Sequence, residues 1–103
     1  MTKISELKIG MKNLLVEGYI VETDTVRIVQ GRYDNNEYKV CKFWLSETKK
    51  PTKENSVTLI LWESDIERFR IGDHVKIENG YTTTFQDSLQ LNVGKYGKIM
   101  LCA

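Results

Sequence analysis

The sequence predicts an all-β fold, a small barrel of five main strands with one short helix between the third and fourth strands. Segments rich in β-branched and aromatic residues alternate with turn signals along the chain, which is typical of a mainly β protein. One segment alone, residues 64–69, reads as helical. Two glycines at equivalent places in a repeated pattern indicate strands bent sharply enough to close a barrel.

The strand candidates share β-branched or aromatic composition and are bounded by turn sequences such as GRYDNN, KKPTKEN, IGD and QD. Such residues favour the pleated, half-buried surface of a sheet. The predicted strands are 14–22, 26–30, 37–45, 56–62, 74–85 and 88–93.

The helical candidate is SDIERF, residues 64–69, and Ser64 is a suitable N-cap. It is followed by Arg-Ile-Gly-Asp, where Gly72 ends the helical pattern. The sequence therefore predicts one short helix before the strand at 74–85.

An internal similarity relates residues 7–19, LKIGMKNLLVEGY, to residues 69–81, FRIGDHVKIENGY. Each copy reads as a turn that leads into a strand ending in Gly-Tyr. We expect Gly18 and Gly80 to mark β-bulges, where each strand bends to serve two parts of the sheet. This layout, with a helix between the third and fourth main strands, is that of an oligonucleotide-binding (OB) barrel, and residues 1–103 suit a single such domain.

Composition limits the class of protein. The chain is 41% hydrophobic and 28% charged, it has no apolar run of membrane-spanning length, and its first residues lack the apolar stretch of a signal peptide. We therefore expect a soluble protein inside the cell, cytoplasmic or nucleoid-associated, or nuclear in a eukaryote. The formal net charge of +1 argues against binding dominated by phosphate neutralisation.

Catalytic and metal-binding patterns do not emerge from the sequence. Cys41 and Cys102 are 61 positions apart and are expected to be free thiols, and His74, the one histidine, reads as a turn residue. No nucleophile–His arrangement, metal-ligand spacing or Gly-rich phosphate loop is apparent. The sequence thus predicts a non-enzymatic protein with no cofactor and no metal.

The stretch GYTTTF places two rings, Tyr81 and Phe85, four positions apart. This spacing puts them on one face of a strand, although it would also fit one side of a helix; the three threonines favour the strand. In the strand at 56–62, Val57, Leu59 and Leu61 share one face, so Trp62 faces outward if that set fills the core.

Residues 57–99, VTLILWESDIERFRIGDHVKIENGYTTTFQDSLQLNVGKYGKI, resemble the archaeal single-stranded-DNA-binding proteins, which are related to replication protein A and to the small human single-stranded-DNA-binding proteins. The shared features are a Leu-x-Leu-Trp strand, a short helix, Gly-Asp, a strand ending in Gly-aromatic, and Leu-Gln-Leu-Asn before a Gly. The resemblance extends more loosely to residues 3–22. It implies that Trp62, Tyr81 and Phe85 stack on nucleobases, and that single-stranded DNA is the partner.

Further contact candidates are less specific. Gln90 and Asn92 alternate with apolar residues and should lie beside the rings, within reach of base edges or sugars, although a solvated strand face would look the same. The resemblance implies a phosphate contact for Lys95 in the turn VGKYG. Similar cationic candidates are Arg27, Arg32 and Lys39, and Trp44 either extends the stacking surface or covers the core.

Residues 46–55, SETKKPTKEN, depart from the family, which usually has a short acidic turn here. This longer, basic loop is either an added phosphate contact or an unrelated surface feature. The sequence does not indicate which proteins, if any, bind to this chain. It predicts a non-catalytic single-stranded-DNA-binding protein of replication, repair or recombination, with single-stranded RNA binding and a protein-interaction OB module as the alternatives.

Overall fold

The computed structural model describes residues 1–102, which hold six strands and one short α-helix. A single 3-10 turn, Ile4–Glu6, precedes the first strand. In chain order the elements are β1 (Leu14–Thr23), β2 (Arg27–Gln30), β3 (Glu37–Ser46), β4 (Ser56–Trp62), α1 (Asp65–Arg68), β5 (His74–Phe85) and β6 (Ser88–Leu101).

Five of the strands close a barrel. β1 pairs with both β3 and β5, β3 pairs with β4, and β6 pairs antiparallel with β5 and parallel with β4. β2 pairs with the first half of β3 and forms a hairpin outside this ring. When the five ring strands are counted in chain order, α1 lies between the third, β4, and the fourth, β5, so the predicted all-β barrel is confirmed.

The predicted strand bounds agree with the structure to within one residue for the first five strands. The end predicted for the last strand, residue 93, is wrong, because β6 continues to Leu101. Gly94–Gly97 form a bulge opposite Asn79, and pairing resumes where Lys98 lies opposite Glu78. Lys95 therefore projects from a bulge within a strand rather than from a turn between elements.

Two smaller expectations are corrected. Ser64 directly precedes α1, but its side chain makes no capping hydrogen bond and its backbone is already helical. His74 is the first residue of β5 instead of a turn residue, and its ring stacks on the ring of Tyr19. Cys41 and Cys102 are both free thiols, as predicted.

The core fills the barrel with the inward side chains of all five ring strands. Alternation along β4 directs Val57, Leu59 and Leu61 inward, as the sequence predicts. Ile66 and Phe69, at and just after α1, join the same cluster and cover one end of it. No helix within residues 1–102 is long and apolar enough to span a bilayer.

The two glycines differ in their roles. Gly80 adjoins a break in register on both sides of β5, so the bulge predicted there is confirmed. The bulge of β1 lies at Val21, three residues beyond Gly18. Gly18 is required for a different reason: a Cβ atom there would lie 2.7 Å from the Ser46 carbonyl oxygen, where β1 passes from β5 to β3.

Candidate nucleic-acid interface

An open groove with a volume of about 340 Å³ crosses the outer face of β3 and β4. Its floor includes Val40 and Ile60, which are only 6% and 7% exposed although they point away from the barrel core. The lining residues come from four ring strands and the β2 hairpin: Arg27, Val29, Val40, Cys41, Lys42, Ile60, Trp62, Phe85 and Gln90.

Strand register explains why these side chains share one face. Lys42 lies opposite Ile60, Ile60 opposite Asn92, and Asn92 opposite Tyr81. Paired residues project to the same side of a sheet, and strands lie about 4.8 Å apart, so this row crosses four strands over ~14 Å. The outer face is therefore continuous from β3 to β5.

Trp62 and Phe85 supply two exposed rings to the groove, with 46% and 50% of their surface accessible. Trp62 is the last residue of β4, and Glu63 ends the strand in a left-handed conformation, φ 53°. The Glu63 backbone N–H donates to the Lys39 carbonyl, and the Lys39 N–H donates to the Glu63 carboxylate, which fixes this corner.

Phe85 ends β5 immediately before a two-residue hairpin. Both turn residues, Gln86 and Asp87, have positive φ values, 51° and 64°, as a type I′ turn requires. Phe85 lies opposite Ser88 across this hairpin. The tight turn therefore holds the ring at the edge of the barrel.

Tyr81 is 39% exposed but does not line the groove. It lies on β5 beside Gly94, and the position of a Cβ atom on Gly94 would be 3.7 Å from Tyr81 Cδ1. Because Gly94 has no side chain, the ring stays uncovered. The three predicted stacking residues thus share the outer face, with Trp62 and Phe85 at the groove and Tyr81 at the far end of the row.

No protein-family model matches the chain. The single-stranded DNA binding protein Ssb of Saccharolobus solfataricus is 31% identical over 97 residues, which are 94% of this chain and 61% of that protein. The second OB-fold domain of replication protein A from Methanococcus maripaludis superposes with a TM-score of 0.68 and 21% identity, covering 97% of this chain and 92% of that one.

The chain is an OB-fold protein that resembles the archaeal single-stranded-DNA-binding proteins. The resemblance predicted from the sequence is confirmed. The OB-fold chain spans about three-fifths of the length of the Saccharolobus relative. Pot1pC of Schizosaccharomyces pombe, solved bound to single-stranded DNA, has the same fold, with a TM-score of 0.71, 11% identity, and coverage of 99% of this chain and 86% of that one.

The two predicted polar contacts, Gln90 and Asn92, differ in position on the outer face of the OB fold. Gln90 lines the groove. Asn92 is half-buried, and its amide donates a hydrogen bond of 3.0 Å to the Thr83 hydroxyl, which orients it beside Tyr81. Its amide N–H is thereby already engaged within the protein.

Of the four cationic residues that the sequence predicts as contacts, one lines the groove and three lie outside its lining. Arg27 lines the groove. Lys39 is exposed on β3, but it alternates with Val40, so its side chain projects from the opposite face of the strand. Arg32 lies in the exposed turn between β2 and β3, outside the groove lining. Lys95 projects from the β6 bulge, with its Nζ 5.7 Å from the centre of the Tyr96 ring.

The turn between β2 and β3 contains an acidic residue, Asp34. The Tyr38 hydroxyl donates to the Asp34 carboxylate, and this hydrogen bond lowers the pKa of Asp34. The Asn36 backbone N–H donates to the same group at 3.1 Å. Asp34 therefore stays ionised and partly offsets the charge of Arg32 in this turn.

Trp44 lies on the outer side of the OB barrel, half-buried, opposite Thr58 of β4 and Glu22 of β1. It is neither part of the core cluster nor of the groove lining. The basic loop 47–55 lies near β1, where Lys49 Nζ is 5.8 Å from the centre of the Tyr19 ring. Among its lysines, Lys49 is thus engaged away from the groove.

Sequence reasoning missed five groove residues: Val29, Val40, Cys41, Lys42 and Ile60. For Val40 and Lys42 a signal was present in the alternation of β3, in which they have the parity opposite to Cys41 and Phe43. Alternation along a strand shows which side chains share a face. The groove forms on that face because β2 packs beside the outward side chains of β3.

Proposed function

We propose that this chain binds single-stranded DNA without catalysis, by stacking bases on Trp62, Phe85 and Tyr81. The observation that carries the proposal is the groove itself, where two exposed rings flank an apolar floor with Arg27 and Lys42 beside it. Bases present flat apolar faces, and any base can stack on an aromatic ring, so this arrangement suits a strand of any sequence.

Two comparisons support the proposal. The relative from Saccharolobus solfataricus is named a single-stranded DNA binding protein, and the Schizosaccharomyces pombe neighbour was solved with single-stranded DNA bound. In OB folds the usual ligand face is formed by the second and third barrel strands and the adjoining loops, which are β3 and β4 here. The groove lies on those two strands.

The charge pattern predicts a binding mode dominated by stacking. The net charge is +1, and the groove lining includes two cations, Arg27 and Lys42. Few phosphates would be neutralised at this face, so electrostatics would supply a small part of the affinity. We further propose that the chain protects single strands during replication, repair or recombination.

The proposal is tested by titrating a fluorescently labelled oligonucleotide with the wild type and with Trp62→Ala, Tyr81→Ala and Phe85→Ala. Each change should weaken binding by about 1 to 3 kcal/mol, the usual loss for one base–aromatic stack. Leu91→Ala, in the fully buried core, is the control for stability. Ring variants that remain folded and bind like the wild type would contradict the proposal.

Two further measurements separate the alternatives. Competition between DNA and RNA of one sequence tests whether the stacking surface prefers DNA, since both nucleic acids stack on aromatic rings. Gel filtration of the ring variants without nucleic acid tests the interaction module. Loss of self-association in variants that still bind oligonucleotide normally would favour a protein interface at these rings.

A further inference from the structure

Three potential metal ligands meet at the start of β5, outside the groove lining. Glu17 lies on β1, His74 begins β5, and Cys102 directly follows β6. One ligand atom from each of the three side chains lies within 4.8 Å of the other two. The three residues are separated by 57 and 28 positions in sequence, and barrel closure brings them together.

The local structure fixes the backbone and ring positions of this cluster. The His74 ring stacks on Tyr19 with a centroid distance of 4.4 Å and an interplanar angle of 15°. His74 Nε2 is 3.7 Å from Glu17 Oε2. The Cys102 backbone N–H donates to the His74 carbonyl at 2.8 Å, which ties the end of the described chain to β5.

The donor set favours Zn²⁺ over Ca²⁺ and Mg²⁺. Imidazole nitrogen, thiolate sulfur and carboxylate oxygen are the ligands of Zn²⁺, whereas Ca²⁺ and Mg²⁺ take oxygen ligands. Around one tetrahedral Zn²⁺, ligands at about 2.0–2.3 Å lie roughly 3.3–3.8 Å from one another. The Glu17–His74 distance of 3.7 Å already meets this requirement. Because no separation exceeds 4.8 Å, an approach of at most roughly 1 Å would complete the set.

We propose that Glu17, His74 and Cys102 bind one Zn²⁺ ion, with a fourth position left for water or another ligand. All three side chains are half-buried, so the site is reachable from solvent without opening the barrel. The ion would join the end of β6 to β5, its antiparallel neighbour, and to β1, the strand on the other side of β5.

Binding would exchange a proton for the metal. A Cys thiol that binds no metal is mostly protonated at neutral pH. Coordination requires the thiolate, and one proton is therefore released to solvent as the S–Zn bond forms. No oxidant or reductant takes part.

Titration of the whole chain with Zn²⁺, under reducing conditions, tests the site through metal stoichiometry and thermal unfolding. We expect one ion per chain and, at a hundredfold excess over Kd, a rise in Tm of roughly 10 °C or more. Replacing Zn²⁺ by Co²⁺ adds a spectroscopic readout, because a sulfur ligand produces a thiolate-to-cobalt charge-transfer absorption.

The matched pair Cys102→Ser and Cys41→Ala assigns the sulfur. Cys41 is buried within β3, and its Sγ donates to the Asp24 carbonyl, far in register from the cluster. Cys102→Ser should abolish the charge-transfer band and weaken Zn²⁺ binding by about 100-fold or more, and His74→Ala should weaken it similarly. Cys41→Ala should bind metal like the wild type.

The proposal is overturned if the wild type binds no Zn²⁺, or if Cys102→Ser and His74→Ala bind as tightly as the wild type. Loss of the band in Cys41→Ala with its retention in Cys102→Ser would also overturn it. Because the site shares no residue with the groove, these results do not depend on nucleic-acid binding.

Discussion

Two phenylalanines in this chain offer a matched test of which rings serve the ligand and which serve the fold. Phe85 lies at the groove and is 50% exposed, while Phe43 points into the barrel and is 2% exposed. Replacing each by Ala removes the same atoms from opposite sides of the sheet. The two variants should therefore fail in different assays.

The expected magnitudes follow from burial. Complete burial of a Phe side chain is worth about 1.5–3 kcal/mol, so half-buried Phe85 contributes about 1 kcal/mol to folding, and its loss leaves no enclosed cavity. Phe43→Ala removes a buried ring and leaves a cavity, which costs about 3–5 kcal/mol. At about 4–8 °C per kcal/mol, Tm should fall by at least ~12 °C for Phe43→Ala and by less than ~8 °C for Phe85→Ala.

Binding should show the reverse order. Loss of one base–aromatic stack, about 1–3 kcal/mol, raises the Kd of Phe85→Ala for a single strand by about 5- to 150-fold. Phe43→Ala, measured well below its Tm, should bind within a few-fold of the wild type. Thermal unfolding by circular dichroism and fluorescence anisotropy measure the two quantities. A Phe85→Ala variant as unstable as Phe43→Ala, or one that binds normally, would refute the reasoning.

Three further outcomes are expected. The slope of log K against log salt for a single strand should be shallow, about −1.4 to −2.8 for two to four phosphate contacts near Arg27 and Lys42, and a slope implying eight or more released ions would show that other basic regions dominate. Gly18→Ala should lower the free energy of unfolding by about 1–3 kcal/mol in urea titration, because its Cβ would collide with the β3 backbone, and an unchanged midpoint would refute that contact. The Ser5 backbone N–H donates a hydrogen bond to the Glu47 carboxylate, and this bond lowers the pKa of Glu47. The stability that the bond adds to the folded state is therefore complete above the ordinary pKa of 4.5 and is lost as pH falls through the lowered pKa. The Tm difference between the wild type and Glu47→Gln should therefore disappear in acid, and a difference that grows as pH falls would reverse this assignment.

Much of the fold could be predicted because its signals are local. Turn sequences and β-branched runs located β1 to β5 to within a residue, and outward parity identified Trp62 as a ring off the core face. The same local reasoning ended β6 too early. The glycines at 94 and 97 read as a turn, but the strand continues because Lys98 finds a partner in Glu78, and that pairing is set by β5 rather than by the local sequence.

The parts of the site that could not be predicted depend on contacts distant in sequence. Parity puts Val40 and Lys42 on the face opposite to Cys41 and Phe43, but it does not show which face is outward, and the β2 hairpin packed beside them makes their face a groove. Tyr81 has the right parity and exposure, yet it lies outside the groove lining, at the end of the row that continues from Ile60 through Asn92. Glu17 and His74 come together only when the barrel closes.

The most direct test of the central claim compares one labelled oligonucleotide, single-stranded and annealed to its complement, at the same salt concentration. In a duplex the base faces are stacked on one another, so the rings at the groove have no faces to contact. We predict a Kd for the single strand at least about tenfold lower than for the duplex, with the difference reduced by Trp62→Ala. Equal affinity of the wild type for both forms would contradict it.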